Sequence, residues 1–239
     1  MEPIGESSPR FRARMAGGFY VLMFVSGGLA VFARRGLIVS GDAATTAAKI
    51  LAHESMYLLG FAGDLLVVAT YVAVTALFYR MLKPVNRSVS LIAAFFGLLG
   101  CAVQGFACVF QLAPLTVLGG ARYLGVFKVE QLQALAYMFL KLYSQAYGIA
   151  LVFFGFFCLL TGYLILKSTF LPRILGGFMM LAGLSWLTFL WPPFAAKYFS
   201  YIVSGAVGEG LLTLWLLVKG VDAERWKAQA DAARIREPV

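Results

Sequence analysis

Apolar residues in this chain come in long blocks rather than in amphipathic stripes. The blocks cover residues 15–33, 57–82, 89–112, 144–166, 173–190 and 195–218. Each is close to the ~20 residues a helix needs to cross a bilayer. The pattern predicts an all-α, polytopic membrane protein built as a six-transmembrane-helix bundle. Residues 1–14 form a polar N-terminal segment, and residues 220–239 a charged tail of helical pattern.

The punctuation between blocks is specific. Arg34 and Arg35 close the first block. A cleavable signal sequence has a shorter apolar region, about 7–15 residues, and a small-x-small cleavage site. Ala30-Val31-Phe32 places a ring at the wrong position, so the block reads as a retained span. Ser40-Gly41-Asp42 offers an N-cap to a short helix over Ala43–Ala52, too polar to span. Pro84 forbids continuation of the second block, and Asn86 or Ser88 can cap the third, which Pro114 and Gly119-Gly120 close. Residues 121–142 mix Arg122, Lys128, Glu130 and Lys141 with aromatics and leucines, as expected of an interfacial helix or an extension of span four. Pro172 suits the first turn of span five, and Trp191-Pro192-Pro193 makes a tight turn with an interfacial aromatic.

Composition agrees with the blocks. The chain is 61% hydrophobic and 13% charged, with a mean hydropathy of +0.84. Soluble domains average roughly 25% charged residues, so this chain has too few to cover a water-exposed surface. Its net charge of +9 raises the question of nucleic acid, but the basic residues cluster at helix ends and form no basic stripe with interleaved aromatics. Nucleic-acid binding is set aside. Of the 20 basic residues, 13 lie in the N-terminal segment, the 80–87 and 167–173 loops and the tail. The positive-inside rule then places both termini in the cytoplasm and the 43–52 helix outside. The two cytoplasmic hairpins echo one another, as Tyr79-x-x-Leu82-Lys83 and Tyr163-x-x-Leu166-Lys167; duplication and shared loop chemistry both account for this.

Cys101, Cys108 and Cys158 all lie inside apolar blocks and read as small packing residues. One histidine and no CxxC pattern argue against a zinc site. No metal and no cofactor is implied, and no HExxH, GxSxG or P-loop motif is present. No residue is assigned a catalytic role.

Ionisable residues at bilayer depth are costly and mark function by default. Asp64, in span two, and Glu209, in span six, each stand about ten residues from a block end, roughly 15 Å deep. No basic residue is expected at similar depth in either span. His53, Tyr57, Gly60, Asp64, Tyr71 and Thr75 recur on one face of span two. Gln104 and Gln111 share a face of span three, and Lys141, Ser144 and Gln145 open span four. Asp64, Glu209, His53, Tyr57, Tyr71, Gln104, Gln111, Lys141 and Gln145 are therefore the candidate ligand or proton-site residues, lining a pocket open to the outside with the two acids at its floor. Against this stands the bland account, in which polar side chains glue helices together.

Several stretches taken together carry a resemblance. They are Gly41-Asp-Ala-Ala-x-Thr-Ala, Leu-x-Gly60-Phe-Ala-Gly-Asp64-Leu, Leu82-Lys-Pro-Val-Asn-Arg87, Phe170-Leu-Pro-Arg-Ile-Leu-Gly176 and the run from Glu209 to Val221. Over residues 13 to 222 the chain resembles the bacterial membrane family catalogued as domain of unknown function 4386. The resemblance implies a multi-span protein of the bacterial cytoplasmic (inner) membrane and supplies no activity or site residues. One departure is Gly97, where relatives often have arginine after Ala-x-Phe-Phe.

Three functions compete. The first is a non-enzymatic bundle that holds a lipid or small apolar ligand in an intramembrane cavity, with the bilayer as its partner. The second is a proton-linked small-molecule transporter using Asp64 and Glu209; the lack of a strong inverted repeat or broken helices counts against it. The third, the weakest, is an intramembrane lipid-modifying enzyme using an acid and His53. Oligomeric state is not legible.

Overall fold

The computed structural model describes residues 8–202 and 205–236. It is all-α, with no strand among the described residues: α1 (Pro9–Arg34), α2 (Ala43–Ala52), α3 (Glu54–Leu82), α4 (Arg87–Leu118), α5 (Val129–Lys167), α6 (Arg173–Leu187), α7 (Pro192–Ile202), α8 (Ala206–Val218) and α9 (Ala223–Arg236). Short 3-10 turns cover Arg122–Leu124 and Thr188–Leu190.

Among the described residues, five helices are long and apolar enough to cross a membrane: α1, α3, α4, α5, and α6 continued to Leu190. Large side chains on them stand bare, among them Phe32 at 65% and Phe106 at 62% exposure. Apolar faces of this extent call for lipid rather than water as the surrounding solvent. The chain is a multi-pass membrane protein.

The local signals in the loops hold. Asp42 caps α2, its carboxylate accepting from the Thr45 backbone N–H at 2.9 Å and from the Thr45 hydroxyl at 2.6 Å. Those two bonds, the hydroxyl's foremost, hold the Asp42 carboxyl below its ordinary pKa. Asn86 Oδ1 accepts from the Val89 N–H at 2.9 Å at the head of α4, and Pro172 stands at the N-cap of α6.

Two expectations are corrected, and one of two open alternatives is found. Pro114 does not close α4, which runs on to Leu118; a proline so near a helix end forfeits one hydrogen bond, and the stop falls to Gly119 and Gly120, the latter at φ +73°. Residues 129–142 are an extension of span four. The resulting α5 has 39 residues, about 58 Å of helix against a hydrocarbon core of about 30 Å. The second correction concerns the last apolar block, which is not one helix. Pro192-Pro193 opens α7 instead of making a turn, Tyr198 is non-helical at φ −112°, ψ 16°, and α8 begins only at Ala206 with Gly205 as its N-cap.

By contacts the chain divides into two compact units. The first comprises Met1–Val21, Thr70–Gly100 and Leu151–Val239; the second comprises Leu22–Ala69 and Cys101–Ala150. α1, α3, α4 and α5 each contribute a segment to both. In the first unit α5 and α6 meet through four glycines in antiparallel register. A Cβ at Gly162 would lie 2.7 Å from the Gly176 carbonyl oxygen, and one at Gly183 2.7 Å from that of Gly155. In lipid, where no hydrophobic force drives helices together, such close backbone approach gains the packing that holds a pair. Their spacing, Gly155 to Gly162 and Gly176 to Gly183, is seven residues on each helix, two helical turns.

Alanine should therefore act with opposite sign at two neighbouring glycines of this hairpin. Gly162→Ala is expected to destabilise by about 1–3 kcal/mol through the backbone clash. Gly177→Ala, where a Cβ meets nothing within 4 Å, is expected to stabilise by up to about 1 kcal/mol from helix propensity. Unfolding in detergent, followed by circular dichroism, gives both signs; equal effects would mean the glycine contact does not hold the pair.

Candidate functional site

In the second unit, Ser26, Ala30 and Arg34 follow one another at helical steps along α1. Opposite them α3 presents Gly60 and Gly63, where a Cβ would lie 2.9 Å from the Arg34 Cγ and 3.0 Å from the Ser26 carbonyl oxygen. The glycines make room for the Arg34 side chain, which turns back along α3 to its neighbour one turn on, Asp64. Arg34 and Asp64 form an ion pair through Nη1 and Oδ2, with Nη2 3.4 Å from Oδ1. Arg34 also donates to the Gly60 carbonyl at 3.3 Å. From α5, the Tyr143 hydroxyl donates to Asp64 Oδ2 at 2.9 Å, and its ring lies under the guanidinium at 5.6 Å.

Asp64 thus has the cation that counting residues from block ends denied it. Arg34 was passed over because it reads as a flanking charge of the first block. The turn and α2 stand between α1 and α3, so the two helices do not start from one level, and the long side chain covers the rest. The small residues Ala30 and Ser26, one and two turns before Arg34, are the available signal.

Tyr57, in the same unit, is fully buried and donates to the Gln111 backbone carbonyl. It packs with Leu37, Ile50 and Leu140 and lies within electrostatic reach of Arg34 and Asp64. The Gln111 side chain is fully buried, and neither its amide nitrogen nor its oxygen has a hydrogen-bond partner among the described residues. An amide left so costs about 1–3 kcal/mol unless water or a ligand meets it. Gln104 is buried one face-repeat away, its backbone carbonyl accepting from the Cys108 thiol at 3.4 Å. His53, Lys141 and Gln145 are exposed. His53 is the C-cap residue of α2 and is not among the hydrogen-bond partners of Asp64. Lys141 lies over the Tyr137 ring at 5.2 Å.

An apolar groove of about 390 Å³ runs beside this network, also within the second unit. Phe61 and Leu65 of α3, Gly105, Cys108 and Leu112 of α4, and Phe139 of α5 are among the residues that line it.

Glu209 belongs to the first unit and sits differently than the apolar block suggests. It stands in the first turn of α8, not ten residues inside a helix. The partial positive charge of a helix N-terminus favours a carboxylate there. Oε1 accepts from the Trp186 indole N–H at 2.5 Å and Oε2 from the Tyr20 hydroxyl at 2.7 Å. The Cys158 thiol lies within electrostatic reach of it. No lysine or arginine forms an ion pair with it among the described residues. Tyr20 and Tyr71 are buried, their rings 5.8 Å apart edge-on, with Phe78, Phe154 and Phe157 completing an aromatic wall. At Gly97 a Cβ would lie 2.8 Å from the Thr75 hydroxyl oxygen and 3.1 Å from the Phe157 ring, so a longer side chain has no room there as packed.

The two donors fix what this carboxyl can do. An indole N–H only donates, so Oε1 stays an acceptor in either protonation state. A tyrosine hydroxyl donates and accepts, so a proton on Oε2 can point at Tyr20 with no heavy atom moving. The sequence pattern marks neither Trp186 nor Tyr20, and marks Cys158 only as a packing residue. Partners of an acid on other helices leave no local spacing to find.

The ion pair gives a sharp expectation. Arg34→Leu leaves a buried, uncompensated carboxylate and should destabilise by about 3–5 kcal/mol, whereas Arg34→Leu/Asp64→Leu should recover most of that loss. Unfolding of the two proteins in detergent measures both. A double variant no better than the single would show that the two residues do not act as a pair.

Comparison with known proteins places these features. An uncharacterized protein of Archaeoglobus fulgidus is 24% identical over 158 residues, which is 66% of this chain and 82% of that protein. No solved structure matches the chain. Residues 15–220, and with them both polar networks and the groove, match the family described as Domain of unknown function (DUF4386), and the chain belongs to that family.

Proposed function

We propose that this protein binds a lipid or small apolar molecule within the membrane, in the groove between α3, α4 and α5 of the second unit. The carrying observation is the groove's chemistry: apolar walls from Phe61, Leu65, Val109, Leu112 and Phe139 around about 390 Å³, within the ~300–1,000 Å³ range of ligand sites. Gly105 and Ala113 leave its α4 wall low. Beside it the Arg34–Asp64–Tyr143 network supplies stiffness, since charges inside hydrocarbon hold the helices that carry them to one arrangement. The cytoplasmic placement of both termini in a bacterial inner membrane belongs to the same reading, supported by the 13 of 20 basic residues on that side.

A photoreactive fatty acid added to membranes containing the protein is expected to crosslink to α4 between residues 105 and 117. Gly105→Leu/Ala113→Leu, which fills the groove, should reduce that labelling several-fold while the protein still folds. Labelling spread evenly over all lipid-facing helices, or unchanged in the filled variant, defeats the reading. In the same cells a cysteine placed at Ser8 should react with an impermeant maleimide only after permeabilisation.

A second reading, proton-linked transport, is favoured by Glu209 and by the kinked α7 that precedes it. Here Glu209 alone carries the proton, because the charge of Asp64 is met by Arg34. Its environment of neutral donors, with a hydroxyl at Oε2, suits a carboxyl that gains and loses a proton in place. Infrared difference spectra across a pH titration should show a protonated-carboxyl band that disappears in Glu209→Gln and shifts in Tyr20→Phe. A band that survives Glu209→Gln, or none at any pH, rules this reading out.

A further inference from the structure

A second concavity, of about 370 Å³, lies in the first unit, where several apolar helices end together. It is separate in residues and in unit from the groove proposed above. Arg10 comes from the start of α1, Thr169 from the α5–α6 turn, Trp215 from the last turn of α8, Lys219 and Asp222 from the turn after it, and Arg225 from the first turn of α9. Phe170, Leu171 and Pro172 make an apolar side wall.

Its shape is set by contacts that do not use those cations as ligands. Gly220 takes φ +69°, and a Cβ there would lie 3.0 Å from the Arg10 Cγ and 3.1 Å from the Arg10 carbonyl oxygen, so only glycine turns the chain this close to α1. The Asp222 N–H donates to the Phe170 carbonyl at 3.2 Å. Arg14 donates to the Val218 carbonyl at 3.0 Å, taking up an open carbonyl at the end of α8. Arg12 lies over the Trp226 ring at 5.5 Å, and the Trp226 indole donates to the Met81 carbonyl at 2.8 Å.

The charges inside do not cancel. Asp222 is the only acid of the lining, and it is engaged by Arg225, through the backbone N–H at 3.1 Å and the side chain at 3.4 Å. The side chains of Arg10 and Lys219 make no hydrogen bond or ion pair among the described residues; the Lys219 backbone N–H closes α8 on the Trp215 carbonyl at 2.8 Å. Two cations therefore face a concavity that is polar on one side and apolar on the other, at the ends of membrane-crossing helices. A free anion would use only the polar side. A phospholipid uses both, its phosphate at the cations and its glycerol and acyl carbons along Phe170–Pro172 and Trp215.

We infer that this concavity is a headgroup site for an anionic phospholipid, with Arg10 and Lys219 binding the phosphate. The purified full chain, placed in bilayers mixing phosphatidylglycerol with phosphatidylethanolamine, tests this by native mass spectrometry. Phosphatidylglycerol should be retained in preference, and Arg10→Gln/Lys219→Gln should weaken its retention roughly fivefold per cation, roughly twenty-five-fold in all. Retention of phosphatidylethanolamine and thermal unfolding should stay unchanged. Lys227→Gln/Arg234→Gln, which removes equal charge from α9 outside the concavity, should keep the lipid; an equal loss there would reduce the effect to general surface charge and overturn the site. Inorganic phosphate at millimolar concentration should not displace the lipid. If phosphate displaces it, and itself binds with the same dependence on Arg10 and Lys219, the site belongs to a soluble anion and the lipid assignment falls. Groove-filling Gly105→Leu/Ala113→Leu should leave this retention intact, so the two binding proposals fail independently.

Discussion

A charge or a hydrogen-bonding group inside hydrocarbon must find its partner within the protein, because lipid offers none. That constraint organises both polar networks. Asp64 takes a guanidinium and a phenol; Glu209 takes an indole and a phenol. Each set draws on at least three helices, so satisfying one carboxylate also fixes helix positions. The same constraint governs the backbone. Where α5 and α6 meet at glycines, carbonyl oxygens face one another's helices closely enough that any side chain would intrude.

The two acids look alike in the sequence, each beside glycines in an apolar block, yet their chemistry diverges. Asp64 is charge-compensated by a guanidinium that itself lies over the Tyr143 ring, an arrangement suited to holding three helices in register. Glu209 is surrounded by neutral donors at the start of a helix that follows a kink. One pair of similar motifs thus separates into an ion-paired carboxylate and one met by neutral donors.

Much of the architecture was legible because it rests on local chemistry. Asp42, Asn86 and Pro172 mark helix starts through bonds to residues at most three positions away, and the all-α, multi-span character follows from block length alone. What escaped was non-local. The partners of Asp64 and Glu209 lie on other helices, at sequence separations of up to 189 residues. The break within residues 195–218 escaped because apolar composition reports burial in lipid and is silent on whether the helix is continuous. Pro114 misled in the opposite sense: the residue that ordinarily stops a helix lies inside one. The glycines of α5 and α6 were visible as a spacing of seven, but only their facing in space gives the spacing meaning.

Those glycines also set an order of events during synthesis. α5 and α6 are separated by the five residues between Lys167 and Arg173, so their pairing closes a very short loop and can begin as soon as α6 has left the ribosome. α1 has the reverse problem. Its Gly17 packs on the backbone of Leu217, where a Cβ would lie 2.6 Å from the amide nitrogen. That surface waits exposed to lipid until nearly the whole chain has been made. The two halves of α1 therefore find their partners at different times, the half around Ala30 and Arg34 on α3 soon after it is made and the half around Gly17 only when α8 arrives.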